Sequence, residues 1–307
     1  MAAAPKSPDI PARYTLKAAA GKGSFGGVDI YTDKFLKRDV AIKTVIAGGG
    51  TEAHDQLENE ILRLTTVRSK HVVELYDVIW DASGNAAGMI MEYIPGSTLN
   101  DFYLKGFDPQ RYLRALYQIA RGLADIHEAK LVHRDIKLDN MKSSAEGLIK
   151  LFDFGLTSEE GDVTTASMGT HVYRAPEMYS PPVAITKQVD TYAFGACCWT
   201  LAIGLPNVPT VLGEIPPQHS AACPSVKTFF NALDGDVCHQ LDSCVSVDPS
   251  KRPSMSEVAR ALGDELLRDQ HRALLIFKGT PTELHAKVRE AKIEWKGVAS
   301  ALLKHDG

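Results

Sequence analysis

Cysteine is scarce in this 307-residue chain, with only Cys197, Cys198, Cys223, Cys238 and Cys244. The odd count and irregular spacing exclude a disulfide framework, and neither a zinc-type pair nor a Cys-x-x-Cys redox motif is present. The adjacent pair lies in an apolar run and reads as buried, reduced thiols. No apolar run approaches the roughly 20 residues that span a bilayer. Positive charge is not in excess either. The formal net charge is −4, which leaves no polybasic footprint for nucleic acid or an anionic membrane. The N-terminal stretch MAAAPKSPDIPA lacks the apolar centre of a signal peptide. These absences predict a soluble protein of a reducing compartment, expected in the cytoplasm. What is present is ordinary for such a protein: 44% apolar and 23% charged residues, enough to build one large domain or two lobes sharing a cleft.

The chemistry concentrates between His133 and Gly155, which read HRDIKLDNMKSSAEGLIKLFDFG. Asp135 is followed by Lys137 and Asn140, then by a polar turn over 143–147. An apolar strand expected over 148–152 leads to Asp153-Phe154-Gly155. One hairpin-like unit thus gathers two carboxylates, a carboxamide and an ammonium. Phosphoryl transfer needs an acceptor for the attacking hydroxyl's proton, oxygen ligands for Mg²⁺ and a cation beside the moving phosphate. Upstream, Gly21 to Val28 reads GKGSFGGV, a loop between two strands whose small residues let the backbone close over phosphates, with Phe25 at its tip. Asp39 to Val45 alternates as a strand and contains Val40-Ala41-Ile42-Lys43. Thr51 to Thr66 has helical periodicity, with Leu57, Ile61 and Leu64 on one face. A strand over Gly88 to Ile94 is broken by Pro95-Gly96-Ser97, as a hinge would be. Downstream, a long amphipathic helix over Pro109 to Ala129 delivers the chain to His133. The helix predicted over Val189 to Ile203 is apolar nearly all round and therefore buried.

Taken in this order, the motifs resemble the eukaryotic-type serine/threonine protein kinase family over roughly Tyr14 to Leu267. The resemblance implies an α+β fold of two lobes with an ATP cleft between them. A small antiparallel β-rich N-lobe with one helix would occupy residues 14–94, and a hinge and mainly helical C-lobe residues 95–267. Residues 1–13 would be a flexible terminus and 268–307 a helical extension. It also implies Mg·ATP as the nucleotide, with Mn²⁺ as an alternative metal, and a protein substrate carrying serine or threonine. Asp135 would accept the hydroxyl proton, Lys137 would neutralise the γ-phosphate, and Asn140 with Asp153 would hold the metal. Lys43 would contact the α- and β-phosphates and pair with a helix glutamate. Both Glu58 and Glu60 are within reach, and counting forward to an apolar strand expected at Val72 to Leu75 favours Glu60.

The nucleotide site would comprise Gly21, Lys22, Gly23, Ser24, Phe25, Gly26 and Val28 of the loop, then Ala41 and Lys43. Met91 as gatekeeper, the backbone of Glu92 and Ile94, and Lys142 would complete it. Leu64, Leu75, His133 and Phe154 would stack as a column anchored by Asp190. Tyr173-Arg174-Ala175-Pro176-Glu177 would close an activation segment, with Glu177 paired to the distant Arg252. Lys137 with Gly169-Thr170 resembles the serine/threonine branch, since tyrosine kinases usually place arginine and alanine near that lysine position.

Two departures stand out. Arg134 calls for an anionic partner, yet four residues before Thr170, where many relatives carry a phosphorylated threonine, stands Ala166. Thr164, Thr165 and Ser167 remain as phosphorylation candidates. The second departure is Lys142, at the floor of the adenine pocket, where relatives commonly carry leucine. Either its stem packs under the base while the ammonium reaches out, or the strand is displaced and nucleotide binding weakens. The proline-rich stretch over 204–229 reads as a surface loop or a partner-docking segment. In the tail, Leu284, Val288, Ala291, Trp295, Val298 and Leu302 form one apolar stripe on a helix over 282–304, which packs on its own domain or serves as a dimer or regulatory contact. Competing functions are a pseudokinase-like scaffold and a small-molecule kinase of the same fold. The filled catalytic positions count against the first, and the Ala-Pro-Glu anchor against the second.

Overall fold

The computed structural model of the chain describes residues 10–23, 26–45, 50–100, 109–166, 168–203 and 234–276. Ser24, Phe25, the side chain of Lys22, Ser167, the stretch at 204–229 and the apolar stripe of the tail lie outside the described residues. Five strands form one antiparallel sheet: β1 (Tyr14–Gly23), β2 (Gly26–Asp33), β3 (Arg38–Val45), β4 (Leu75–Trp80) and β5 (Ala86–Glu92), in the order β1-β2-β3-β5-β4. The pleat of β3 sends Val40 and Ile42 to the outer face, where they pack with Ile79 and Ile90 and against Ile10, Tyr14, Tyr31 and Tyr76. Ala41, Lys43 and Val45 therefore point to the inner face. There α1 (Gly50–Thr66) lies across the sheet and buries Leu57, Glu60, Ile61 and Leu64. Its inward stripe thus carries one carboxylate into an apolar face.

Two expectations shift in this lobe. The strand expected at Val72 to Leu75 begins only at Leu75. Val72 and Val73 are buried extended backbone that bonds the other lobe, Val73 N donating to Leu151 O at 2.9 Å and Leu151 N to His71 O at 2.8 Å. The stretch expected to be flexible as far as residue 13 is engaged from Ile10 onward. Arg13 donates from Nε (2.8 Å) and Nη2 (2.5 Å) to the two carboxylate oxygens of Asp33.

The second lobe is helical. α2 (Pro109–Glu128) has no internal proline, and Leu116, Ile119, Ala120 and Leu123 are fully buried at the spacing of one helix face. A glycine interrupts this helix for a packing reason: a Cβ on Gly122 would sit 2.5 Å from Leu151 Cδ1. The hairpin of β7 (Met141–Ser143) and β8 (Ile149–Leu151) approaches α2 through that gap. The strand expected over 148–152 is thus shorter, with Phe152 leaving the hairpin to donate to Asn140 O at 3.1 Å. α3 (Gln188–Ile203) buries Phe194, Ala196, Cys197 and Cys198 completely. Four of the five cysteines are described, and all four are buried free thiols. α4 (Gly235–Ser243) precedes α5 (Met255–Ile276), which packs along α2 and continues unbroken past Leu267. One apolar core joins Leu57 and Leu64 of α1 to Leu116, Phe154, Phe194 and Leu262. Among the described residues, no helix is long and apolar enough to cross a membrane.

Candidate active site

After β6 (Leu131–Val132) the chain turns through His133 to Asn140, beneath the inner face of the sheet. Arg134 (φ 68°) and, further on, Asp153 (φ 67°) adopt left-handed backbone, which costs a non-glycine residue on the order of 1–2 kcal/mol. Asp190 holds the first of these turns. Its carboxylate accepts His133 N at 2.7 Å, Arg134 N at 2.8 Å and His127 Nε2 at 3.0 Å. Burial pushes this carboxyl up, but His127 and the backbone donor outweigh burial and hold it below its ordinary range. His127 belongs to none of the ordered sequence motifs. Its signal is a place in the last turn of α2, one short strand ahead of the loop.

Asp135 lies at the centre of a hydrogen-bonded cluster. Lys137 Nζ donates to it at 2.7 Å, Asn140 Nδ2 at 2.9 Å and Thr170 Oγ1 at 3.0 Å, while Lys137 also reaches Thr170 Oγ1 at 3.2 Å. Burial raises the Asp135 carboxyl, yet Lys137 and the two neutral donors outweigh it, so the group stays below the usual carboxylate range and is ionised. Thr170 reaches this point because Gly169 (φ 90°) passes tightly under the loop. A Cβ there would lie 2.9 Å from Arg134 O.

Across the cleft, Lys43 Nζ sits 2.8 and 2.7 Å from the two oxygens of Glu60 and 3.6 Å from Asp153 Oδ1. Burial disfavours the ammonium, but Glu60 and Asp153 more than compensate and its pKa is raised. Glu58 is exposed. The Asp153 carboxylate is the most open of these acids, 46% exposed. Phe154 is buried, its ring 5.0 Å from that of His133, and it shares the core with Leu64, with Leu75 packed alongside.

Both amide hydrogens of Asn140 are committed, one to Asp135 O and one to the Asp135 carboxylate. Its Oδ1 is then the group left for a ligand. With the Asp153 carboxylate this makes two hard oxygen donors, and no cluster of three or more metal-binding side chains occurs among the described residues. That set fits a divalent cation completed by phosphate and water oxygens, as is usual for Mg²⁺.

At the hinge side, Ala41 pairs in register with Met91, and Val28 with Lys43. Lys142 directly faces Lys150 in the β7–β8 hairpin. Lys150 pairs with the Glu92 carboxylate at 2.5 Å, whereas Lys142 Nζ has no carboxylate among the described residues and lies 3.5 Å from Ile94 O and 5.9 Å from the Tyr93 ring.

The segment after Asp153 is not a plain polar loop. β9 (Ser158–Glu159) pairs with β6, and β10 (Val163–Thr164) with β11 (Val183–Ala184). Together they bring hydroxyls to Arg134, which donates to Ser158 Oγ at 2.6 Å and Thr164 Oγ1 at 3.4 Å, with Met168 Sδ at 3.3 Å. No carboxylate pairs with this guanidinium among the described residues, and its Nε is buried without a partner. Thr164 is buried and Thr165 exposed. Below the segment, Arg252 grips Glu177 with two bonds of 2.6 and 2.8 Å and also donates to Ser246 O and Gln188 O.

The chain matches the protein kinase domain family over residues 14–261. It is 28% identical to cyclin-dependent kinase-like 2 of Mus musculus, a match covering 81% of this chain and 50% of that protein. The same protein of Oryctolagus cuniculus is 28% identical (80% and 49% covered), and that of Rattus norvegicus 27% (80% and 55%). The chain thus spans about half the length of the curated relatives it matches.

Proposed function

The chain belongs to the protein kinase family, and on that premise we propose that it is an active serine/threonine kinase. It transfers the γ-phosphate of Mg·ATP to protein hydroxyls in the cytoplasm. The observation that carries this reading is the cluster of Asp135, Lys137, Asn140 and Thr170, facing Lys43, Glu60 and Asp153 across the cleft. An ionised Asp135 orients the substrate hydroxyl and accepts its proton, and Lys137 stands beside it to offset charge on the phosphoryl group. Asn140 Oδ1 and the Asp153 carboxylate would hold a divalent metal, which would supply neutralising charge for the phosphate oxygens. Lys43, fixed by Glu60, steadies the remaining phosphates.

The same segment supplies regulation. Of the described candidates Thr164 and Thr165, Thr164 is the one whose hydroxyl touches Arg134, and a phosphate there replaces a weak neutral contact by a charge-assisted one. Incubation with Mg·ATP and a generic protein substrate, followed by phosphoamino-acid analysis, tests the reading. Phosphoserine and phosphothreonine are expected, and none with Asp135→Asn. Nucleotide binding without any transfer would instead assign a scaffold. Transfer confined to small molecules would assign a small-molecule kinase.

A further inference from the structure

The turn between β2 and β3 reads Lys34-Phe35-Leu36-Lys37, and the chain enters β3 at Arg38. Phe35 is 79% exposed and Leu36 49%, and Leu16 on the neighbouring strand β1 is 57% exposed. Asp33 fixes the turn. Its Oδ1 accepts Phe35 N at 2.9 Å and Leu36 N at 3.0 Å, and its carbonyl accepts Lys37 N at 2.9 Å. Lys34 N donates to Arg13 O at 3.0 Å. Every backbone N–H from Lys34 to Lys37 is therefore satisfied inside the protein, the condition for a turn to enter a medium poor in water. Arg13 takes up the Asp33 charge and stands 5.6 Å from the Phe35 ring. Lys34, Lys37 and Arg38 flank the tip and are exposed, with Arg38 over the Tyr76 ring at 3.6 Å. None of the three pairs with a carboxylate among the described residues, since the adjacent acids are taken, Asp33 by Arg13 and Asp39 by Lys17. Asp77 on β4 adds one negative charge near Arg13 and leaves the tip net positive.

We propose that this turn docks on an anionic lipid surface. Phe35 and Leu36 enter the headgroup boundary while Lys34, Lys37 and Arg38 meet the lipid phosphates and carboxylates around them. Charge complementarity selects this occupant. A convex tip of two apolar side chains offers too little area for a stable protein interface. A nucleic acid backbone would engage the cations and leave the apolar pair in water. An anionic bilayer takes both at once. The contact lies on the membrane and does not cross it. The tip stands at the end of β2 opposite the glycine loop, and Lys43 follows Arg38 by five residues, roughly 16 Å along β3. Docking therefore leaves the cleft open, and the proposal does not depend on the kinase reading.

The test is flotation of the full chain with phosphatidylcholine vesicles carrying about 30% phosphatidylserine, beside vesicles of phosphatidylcholine alone. Binding to the anionic vesicles should be tighter by about tenfold or more and should weaken as salt is added. Lys34→Gln combined with Lys37→Asn should weaken it by about 25-fold, at about fivefold per cation. Phe35→Ser combined with Leu36→Ser should weaken it by about tenfold or more. Lys37 takes left-handed backbone (φ 54°), which asparagine adopts more readily than lysine. Lys37→Asn should therefore keep or raise thermal stability while binding falls, which separates lost docking from lost folding. Phe35→Trp should add a blue-shifted emission that brominated acyl chains quench, a direct reading of entry into the bilayer. Equal binding to both kinds of vesicle, binding to neither, or an unquenched tryptophan at residue 35 overturns the proposal. So does loss with the lysine pair alone and none with the serine pair, since simple adsorption to any polyanion would give that result. Duplex DNA bound in preference to the anionic vesicles would reassign the tip to nucleic acid and overturn it as well.

Discussion

Glu60 is buried with Lys43 as its ion-pair partner among the described residues, while the nearby Asp153 carboxylate repels it. Substitutions on the two sides of that pair should therefore behave differently. Asp153→Asn removes an open carboxylate and should abolish phosphoryl transfer with little change in stability, a loss of roughly 10²–10³ or more where charge stabilisation dominates catalysis. Lys43→Met should be equally inactive and still fold, but less stably, because it strands the Glu60 carboxylate; broken buried pairs cost about 3–5 kcal/mol. Burial already pushes Glu60 up, so without the lysine its folded pKa lies above the unfolded value. The folded variant then binds the extra proton, and its stability should rise as pH falls toward the ordinary carboxylate range. Denaturation at several pH values checks this, and a flat profile would count against an unpaired Glu60. Lys142→Leu should be tolerated and should tighten ATP binding by up to about fivefold, equivalent to about 1 kcal/mol, because a poorly partnered ammonium leaves and apolar contact replaces it. Titration with Mg·ATP decides, and a tenfold loss would give Lys142 a direct role in recognition. At this scale the sequence was highly legible, because each of these side chains belongs to an ordered motif. The contacts of Thr170 with Asp135 and of Arg134 with Ser158 and Thr164 were not. They join residues 24 to 35 apart through the path of an intervening segment, and no local pattern records that path.

Elements show the same division. The long helices were legible from periodicity: α1, α2 and α3 lie within one or two residues of their expected bounds. The two-residue strands β9, β10 and β11 were not, since two residues have no period to read and their pairing partners are distant in the chain. Val72 and Val73 misled for the opposite reason: apolar and β-branched, they are buried as a bridge to β8 and not as a strand of the sheet. The β9–β10 segment sets a clear expectation. Phosphate should appear at Thr164 after incubation with Mg·ATP, and Thr164→Ala should lower activity while leaving thermal stability near that of the parent. Phosphate only on distant sites, with unchanged activity in the alanine variant, would move the switch elsewhere. The anchor below is structural. Arg252 is fully buried as a side chain and Glu177 mostly so, so Arg252→Leu should cost about 3–5 kcal/mol in denaturant unfolding.

For the whole molecule, the informative element is α5, because it reaches past the expected boundary at Leu267 and past residue 261, where the family match ends. Leu262 is fully buried, Glu265 nearly so, and Leu266 packs against the common core. Further along, Arg268 donates to Asp234 at 2.6 Å. Asp234 in turn caps α4 by accepting Asp236 N at 2.9 Å. The second half of α5 therefore closes the lower lobe against α2 and fixes the start of α4. The boundary was hard to read because the amphipathic pattern continues smoothly from a helix the family requires into one it does not. A chain ending at residue 261 should lose roughly 2–5 kcal/mol relative to one ending at residue 276, from the two leucine contacts and the cavity left on α2. Since α2 leads directly into the loop that carries Asp135, the shorter chain should lose activity at temperatures where the longer one keeps it. Equal stability of the two truncations would show that α5 beyond residue 261 rests on the lobe without holding it together.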